Sequence, residues 1–546
     1  MKGEKDMKNI LKIGFVALTA TALLSGCIKE TFPTSVATSD QVAANPAALE
    51  SQVNGIAAFV NAIEILGVNH SEFGYPSMGM IRDLMGEDMA TVSSGYEHFS
   101  PWIEARAMSD QYAYSQQVWN YYTQFLLTAN SVISAVNEAS ATEVQKQYLG
   151  MAYCYRAMIN LDMGRMFEFK KNGYTVAPEL EGYTIPIIRE NMTEAEARNN
   201  PRVKKADLLA HIHADLDKAI DFFYNENEKD ENKRLFVRQN KTQPDMSVAY
   251  GLKARAYLWA ENYDEAAKYA GWALDKTKTG VDYKALNEAQ ATDVATGFNS
   301  VGTNNSWMWC SSLVKEDDAV KSSIINFTSW IASETVFGYA GAGPYRMIDA
   351  RLYSRIPNSD WRKKWWKAPE GVSIKQNFVP ATADYAGAEG LPEYAAIKFR
   401  PGSGNPDSED PGAICDYPFM RMEEMMLIIA EADARKGSSN GLLAFMAERN
   451  PDYVCTASGA TALVDEIFFQ KRIEFWGEGI NFFDYKRLGK GVTRGYEGTN
   501  HYEDARLNSN GLAPWYNMCI VRTEHNANPA VVSNPDPSSL IEPWKE

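Results

Sequence analysis

Residues 249–274, AYGLKARAYLWAENYDEAAKYAGWAL, give the clearest structural signal in the chain. Small and aromatic residues recur in this stretch close to the spacing of a tetratricopeptide repeat, which is a pair of packed helices. They are Tyr250, Ala254, Tyr257, Tyr263, Ala266, Ala270 and Ala273. Small residues let two helices approach closely, and aromatic side chains fill the space beside them. Because residues 261–266 have the character of the turn inside such a repeat, the stretch predicts a helix pair.

Other segments show the same helical periodicity of apolar residues. They are residues 118–136, 141–167, 206–223, 421–437 and 461–476. The resulting helix pairs recur at irregular intervals, which is typical of a solenoid-like scaffold with long insertions. The sequence therefore predicts a mainly α fold built on a tetratricopeptide-like helical-repeat scaffold.

Residues 277–416 interrupt this pattern. Glycine, proline, asparagine and aromatic residues become frequent, and segments such as GTNNSWMWCSSLV (302–314) have the composition of loops and short strands. Irregular regions of this length are usually functional or disordered, and the aromatic content argues against disorder. We expect this loop and short-strand region to carry the ligand-binding face.

The N-terminus has the order of a secretory signal: lysines, then the apolar run IGFVALTATALL, then small residues. The apolar run is shorter than the about 20 residues that span a bilayer. Its end, Leu24-Ser25-Gly26-Cys27, resembles the lipobox of bacterial lipoproteins. The resemblance implies that Cys27 is alkylated by diacylglycerol and anchors the chain to a membrane. The alternative is an ordinary cleaved signal that happens to contain a cysteine.

These patterns divide the chain into successive parts. The predicted parts are a signal peptide (1–26), the lipidated cysteine with a flexible tether (27–48), and a single domain (49–546) with its helical scaffold at about 49–276 and 417–546 and its loop-rich ligand region at about 277–416.

The composition limits the partners. The formal net charge is −16, whereas a protein that binds nucleic acid or anionic lipid headgroups usually presents a basic surface. Neutral ligands are therefore favoured, and no nucleic acid is expected. Apart from Cys27, the cysteines lack CxxC spacing, so we predict neither a disulfide framework nor a metal finger.

Two C-terminal motifs point to a family. The segments YPFMRMEEMMLIIAEADARKG (417–437) and QKRIEFWGEGINFFDYKRLGKG (470–491) resemble the SusD/RagB family of outer-membrane lipoproteins. The matching residues are Arg421, Glu424, Ala430, Glu431 and Ala432, then Arg472, Glu474, Glu478, Gly479, Phe483, Asp484, Arg487 and Gly489. The sequence departs from the family pattern at Gln470, Lys471 and Asn481.

The resemblance implies a lipid-anchored protein on the outer face of the outer membrane. It would sit on a SusC-like, TonB-dependent β-barrel transporter and capture oligosaccharides for import. The resemblance implies no catalytic residue and no cofactor.

The charged residues of the second motif also suggest a structural role. Charges set among large apolar residues usually form buried ion pairs, because an unpaired buried charge is costly. We therefore interpret Glu474, Glu478, Asp484 and Arg487 as structural rather than catalytic. Gly479 fits a helix end that needs a positive φ.

A saccharide site needs flat aromatic faces for stacking and polar side chains for hydrogen bonds. Two stretches offer this mixture. The candidate ligand-binding residues are Tyr96, Phe99 and Trp102 in the first, and Asn305, Trp307, Trp309, Trp330 and Tyr339 in the second. For each aromatic residue the alternative is a packing role. The run DWRKKWWK (360–367) is expected to pack on the scaffold or on a partner chain.

Other functions are less favoured by the sequence. The sequence has no HExxH, Walker or G-x-S-x-G motif, so we predict that the protein is not an enzyme. A surface glycoside hydrolase remains the weaker alternative, because two carboxylates can come from any part of a chain. Capture of peptides or glycoconjugates by the same architecture, and a pure interaction scaffold, are further alternatives. Asp407 in DSEDPG could bind calcium, but a solvated turn is favoured and no metal site is predicted.

Overall fold

The computed structural model describes residues 46–64, 66, 70–224, 235–322 and 324–546. The predicted signal peptide and the predicted lipid attachment at Cys27 lie outside the described residues. Helix α1 begins at Pro46, inside the predicted tether of residues 27–48.

The described part of the chain is mainly helical, which confirms the predicted fold class. The longer helices are α1 (Pro46–Phe59), α2 (Tyr75–Leu84), α3 (Ala113–Ala135), α4 (Glu143–Phe167), α5 (Lys205–Phe222), α6 (Met246–Trp259), α7 (Tyr263–Leu274), α8 (Met422–Arg435), α9 (Asn440–Ala447), α10 (Ala460–Glu474) and α11 (Asn481–Leu488). Shorter helices are Ser100–Ile103, Glu194–Ala197, Lys276–Thr279, Glu288–Ala291, Asp318–Lys321, Phe327–Ile331, Gly338–Ala342, Ala350–Ser354, Glu409–Gly412 and Arg522–Ala527. The strands are β1 (Met89–Thr91), β2 (Trp307–Ser311), β3 (Arg346–Ile348) and β4 (Tyr417–Arg421).

The scaffold is a succession of helices, each packed on the next along the chain. Helix α3 packs on α4, α4 on α5, α5 on α6, α6 on α7, α7 on α8, and α8 on α9 and α10. Glycines permit one of these close approaches. In α4, a Cβ at Gly150 would lie 2.8 Å from the Phe223 ring, and a Cβ at Gly164 would lie 2.6 Å from the Leu208 side chain. Larger residues at these positions would push α5 away.

The stretch 249–274 folds as the predicted helix pair. The carboxylate of Asp245 caps α6 by accepting hydrogen bonds from the backbone of Ser247 at 3.0 Å and Val248 at 3.2 Å. After a short turn, the side chain of Asn262 caps α7 by accepting a hydrogen bond from the backbone of Glu265. The alanines at the predicted contact positions have no exposed surface; they are Ala254, Ala266, Ala270 and Ala273. The pair is confirmed, whereas its kinship with a tetratricopeptide repeat stays a prediction.

Two small sheets connect the irregular region to the scaffold. Strand β1 pairs antiparallel with β3, with Met89 opposite Ile348 and Thr91 opposite Arg346. Strand β2 pairs antiparallel with β4, the strand that leads directly into α8. Each sheet therefore joins one strand of residues 277–416 to one strand outside them.

A buried ion network centred on Glu474 fixes the irregular region to the ends of the helices. Its carboxylate, at the C-terminus of α10, contacts the guanidiniums of Arg421 at 3.1 Å, Arg449 at 2.9 Å and Arg362 at 3.3 Å. All four side chains are at most 1% exposed. Because Arg362 belongs to the irregular region, α10 is joined to that region through charge.

The same network extends on both sides of Glu474. Lys398 donates hydrogen bonds to Glu478 at 2.7 Å and to the backbone oxygens of Glu474 and Trp476, both at 2.8 Å. Glu423 of α8 pairs with Arg449 at 3.0 Å. Charges from α8, from the turn after α10 and from residues 362–398 thus neutralise one another inside the molecule.

The other charged residues of the family motifs form buried pairs as well. Glu424 of α8 pairs with Arg255 of α6 at 2.6 Å, and Arg487 of α11 pairs with Glu431 of α8 at 2.7 Å. Asp484 contacts Arg487 at 2.7 Å. The prediction that Glu474, Glu478, Asp484 and Arg487 form buried ion pairs is confirmed.

Gly479 has the predicted positive φ, of +71°, but it does not end a helix as predicted. It lies in the turn between α10 and α11 rather than at the end of a helix. A Cβ there would stand 2.3 Å from the backbone of Gly79 in α2, and the Gly479 N–H donates a hydrogen bond to Asp83 at 3.0 Å. The glycine is therefore required both by its backbone conformation and by the close approach of α2.

The basic and aromatic run at residues 360–367 packs on the scaffold, as expected. Trp366 has no exposed surface, and its ring meets that of Trp476 edge-on with 5.6 Å between centroids. Trp361 donates its indole N–H to the backbone oxygen of Glu448 at 2.8 Å. The run therefore serves packing within this chain.

We predict that Glu474→Gln destabilises the protein by about 3–5 kcal/mol, because it leaves buried guanidiniums without their shared carboxylate. Urea denaturation would measure the free energy of unfolding. The control is Glu448→Gln, which removes an exposed carboxylate near the same network and should change stability by less than about 0.5 kcal/mol. Equal stabilities of the two variants would contradict the prediction.

The effect of Glu474→Gln should depend on pH. Burial raises the pKa of Glu474, but the guanidiniums of Arg449 and Arg421 outweigh burial and hold this pKa below its ordinary value of 4.5. A carboxylate with a lowered folded-state pKa stabilises the protein fully above its unfolded pKa and progressively less as the pH falls. The difference in unfolding free energy between wild type and variant should therefore shrink below about pH 5. Denaturation curves at a series of pH values would show this, and a constant difference would contradict it.

Candidate functional site

The site is built around an exposed turn that follows β1. Tyr96 in this turn has 60% of its surface exposed, and its backbone N–H donates a hydrogen bond to the Ser94 hydroxyl at 3.1 Å. Across from it, Gly343 has a φ of +128°, and a Cβ at Gly343 would lie 3.9 Å from Oγ of Ser94. The turn after β1 therefore lies close to the segment that precedes β3.

A buried ion pair holds the turn in place. Glu97 accepts hydrogen bonds from both terminal nitrogens of Arg346, with oxygen–nitrogen distances of 2.5 and 3.0 Å. It also accepts one from the hydroxyl of Thr91 at 3.1 Å and one from the backbone of Phe99 at 3.0 Å. Because Arg346 and Thr91 are opposite each other in the β1–β3 ladder, the sheet fixes the residue next to Tyr96.

Behind the turn lies a cluster of aromatic rings and imidazoles. Trp330 and Tyr339 stack face to face, with 3.9 Å between ring centroids and 8° between ring planes. The ring of His98 lies 5.3 Å from that of Tyr339 and 5.0 Å from that of His70. We call Tyr96 and these four residues the Tyr96 cluster.

Polar atoms of the cluster are held by one another. The hydroxyl of Tyr339 forms hydrogen bonds with Nδ1 of His70 and, at 3.4 Å, with Nε2 of His98. The indole N–H of Trp330 donates to the backbone oxygen of His70 at 3.1 Å. Three segments distant in sequence therefore meet at this surface.

The surroundings of His98 and Tyr339 favour their neutral forms. Burial, and then the neighbouring His70, lower the pKa of His98 below its ordinary value. Burial, and then Tyr96, raise the pKa of Tyr339. Neutral imidazoles and phenols both donate and accept hydrogen bonds, as the hydroxyls of an uncharged ligand require.

The structure brings together only part of the predicted site residues. Tyr96, Trp330 and Tyr339 belong to the cluster, but Trp330 has no exposed surface and Tyr339 has 6%. Phe99 and Trp102 are buried at 0% and 2% exposure. Of these aromatic residues, Tyr96 presents a face to solvent.

Trp307 and Trp309 lie in β2 and are both fully buried. All five residues of β2 are buried, so both sides of the strand are covered. Trp307 meets Phe298 at 5.5 Å between ring centroids, and Trp309 meets Tyr155 at 4.9 Å and Phe419 at 5.4 Å. A strand with both sides covered leaves no face open to a ligand. In this structure neither tryptophan offers a stacking surface.

Asn305 is exposed, in the turn before β2. Its neighbour Asn304 accepts a hydrogen bond from Lys241 through its backbone oxygen at 2.8 Å. Asn305 and Tyr96 are positioned by different sheets, because Asn305 precedes β2 whereas Tyr96 follows β1. The assignment of ligand contacts to these residues stays a prediction, and its best-placed member is Tyr96.

Sequence reasoning missed His70. It is separated from Tyr339 by 269 positions and belongs to no motif, so a single sequence carries no local signal for it. His98 lies between the predicted ligand-binding residues Tyr96 and Phe99 but is not itself one of the predicted residues.

Within the described ranges, no group of three or more His, Cys, Asp or Glu side chains is arranged to hold a metal ion. No helix of the described chain is long and apolar enough to cross a membrane.

Comparison with solved structures shows what this fold resembles. A SusD-like carbohydrate binding protein from Bacteroides vulgatus has a TM-score of 0.67 and 20% sequence identity, over 89% of this chain and 97% of that chain. A SusD superfamily protein from Bacteroides thetaiotaomicron has a TM-score of 0.67 and 18% identity, over 90% and 100% of the respective chains. Surface glycan-binding protein A from Bacteroides thetaiotaomicron has a TM-score of 0.61 and 14% identity, over 91% and 98%.

Sequence comparison addresses the family directly. No match was found among curated proteins. A profile of the SusD family matches residues 257–536, about half of the chain, and this range contains both C-terminal motifs. The profile match and the fold together confirm the predicted resemblance: the chain belongs to the SusD family.

Proposed function

We propose that the protein binds oligosaccharides or polysaccharides at the surface of the outer membrane. It then delivers them to a partner TonB-dependent, SusC-like transporter for uptake. The observation that carries this proposal is the likeness over 89% of the chain to a SusD-like carbohydrate binding protein, together with membership of the SusD family. Attachment to the membrane through a lipid on Cys27 is part of the proposal and rests on the lipobox resemblance.

The Tyr96 cluster suits a saccharide. A sugar ring has a face of C–H groups that stacks on an aromatic ring and an edge of hydroxyls that forms hydrogen bonds. Tyr96 offers the exposed ring, and the partly exposed imidazoles of His70 and His98 offer hydrogen-bonding groups beside it. Such a site gives micromolar to millimolar affinity, because each stack contributes only about 0.5–1.5 kcal/mol. That strength suits a protein that passes its ligand onward.

The site supports binding rather than hydrolysis. A glycoside hydrolase needs two carboxyl groups that face the scissile bond. Glu97, which adjoins the cluster, is 9% exposed and uses both oxygens to bind Arg346. A carboxylate held in this way positions the turn, and we propose no catalytic residue.

We predict that Tyr96→Ala weakens saccharide binding by roughly two- to tenfold, the equivalent of one lost stack. The measurement is calorimetry of the full-length protein in detergent against a panel of neutral oligosaccharides. The control is Tyr112→Ala, which removes another exposed tyrosine, at 48% exposure, just before α3. This control should bind as the wild type does.

Two results would count against the proposal. Equal weakening by both variants would remove Tyr96 from the site. Saturable binding to peptides with none to any saccharide would replace the proposed cargo with peptides.

A further inference from the structure

A groove of about 450 Å³ lies away from the Tyr96 cluster. It is bordered by α10, by the short helix Ala350–Ser354 and by residues 490–511. The groove and the Tyr96 cluster adjoin opposite ends of the β1–β3 ladder. The chain segments next to the Thr91–Arg346 pair belong to the cluster, and those next to the Met89–Ile348 pair border the groove. A ligand can therefore meet the groove independently of Tyr96.

The charged lining of the groove is mainly basic. It consists of Arg351, Arg355, Arg472 and Lys490, with the carboxylates Glu87 and Asp465. This excess of cations contrasts with the net charge of −16 of the whole chain. Locally, the groove therefore favours negatively charged groups.

The carboxylates of the groove are already engaged. Glu87 accepts a hydrogen bond from the backbone of Thr493 at 2.6 Å and pairs with Arg472 at 2.6 Å. Asp465 pairs with Lys490 at 2.6 Å. Arg472 also pairs with Asp88 at 2.5 Å, and the exposed cations of the lining are Arg351 and Arg355.

An aromatic ring lies beside each of these two arginines. The guanidinium carbon of Arg355 lies 4.1 Å from the ring centroid of Phe469, and that of Arg351 lies 4.7 Å from the centroid of Tyr496. Arg351 also donates to the backbone oxygen of Thr493 at 3.0 Å, and its distance to Glu87 is 3.7 Å. A ring orients a guanidinium without cancelling its charge.

Arg351 and Arg355 are exposed and lie one helical turn apart, an arrangement in which like charges repel. Burial, and then the neighbouring Arg472, lower the pKa of Arg355 below its ordinary value. An anion between the two guanidiniums would relieve this repulsion and accept charge-assisted hydrogen bonds from both.

We propose that this groove binds the carboxylate or sulfate group of an anionic oligosaccharide through Arg351 and Arg355. The inference rests on the proposed function for the saccharide nature of the ligand. It adds an acidic substrate class that the net charge of the chain argued against.

The test is calorimetry of the full-length protein in detergent with probes that separate the two anions. The carboxylate probe is an oligogalacturonate, and its neutral counterpart is a galactose oligosaccharide. The sulfate probe is a sulfated dextran oligosaccharide, and its neutral counterpart is the unsulfated dextran oligosaccharide. At least one anionic probe should bind about tenfold more tightly than its neutral counterpart, and added salt should weaken that preference. Whether the uronate or the sulfate ester is preferred identifies the anionic group.

The variant Arg351→Gln/Arg355→Gln should abolish the preference while leaving binding of neutral probes unchanged. Its matched control is Lys276→Gln/Lys284→Gln, which removes the same charge from two exposed lysines beside Asp282 and should retain the preference. Neutral probes binding as tightly as anionic ones, or an unchanged preference in the arginine variant, would overturn the inference alone. Binding of no saccharide of either kind would overturn the proposed function and the inference together.

Discussion

The contact between Glu474 and three guanidiniums is the constraint on which the architecture depends. A carboxylate with no exposed surface is costly to bury, and here Arg421, Arg449 and Arg362 compensate it from three directions. Each arginine lies on a different segment: the end of β4, the residues after α9 and the irregular region. Removing any partner unbalances the charge buried in the network, which disfavours other arrangements of these segments.

The network also explains how a largely irregular region can hold a site. Residues 277–416 contain helices of at most five residues within the described part of the chain, which are too short to be stable alone. Lys398 and Arg362 tie this region to α10 and the turn after it. The same region supplies Arg346, whose pairing with Glu97 sets the turn that presents Tyr96. Buried charge thus positions an exposed aromatic side chain.

The sequence predicted the scaffold better than the site, for physical reasons. The helix pair at residues 249–274 and the structural role of Glu474 depend on local spacing and on the cost of buried charge, which one sequence displays. Whether an aromatic residue is exposed depends on what packs on it from elsewhere in the chain. Trp309 is covered by Tyr155 and Phe419, which are distant from it in sequence, and His70 reaches Tyr339 across 269 positions. No local pattern encodes such contacts.

Hydrogen exchange tests most directly whether the ion network makes the irregular region part of the scaffold. The amides to compare are those of residues 395–400 and those in the middle of α10. If the network joins them, both sets exchange with the same opening free energy in the wild type, and Glu474→Gln lowers that free energy equally for both. If residues 395–400 instead open at a much lower free energy while α10 stays protected, and the variant leaves this difference unchanged, the network is not what holds the two parts together.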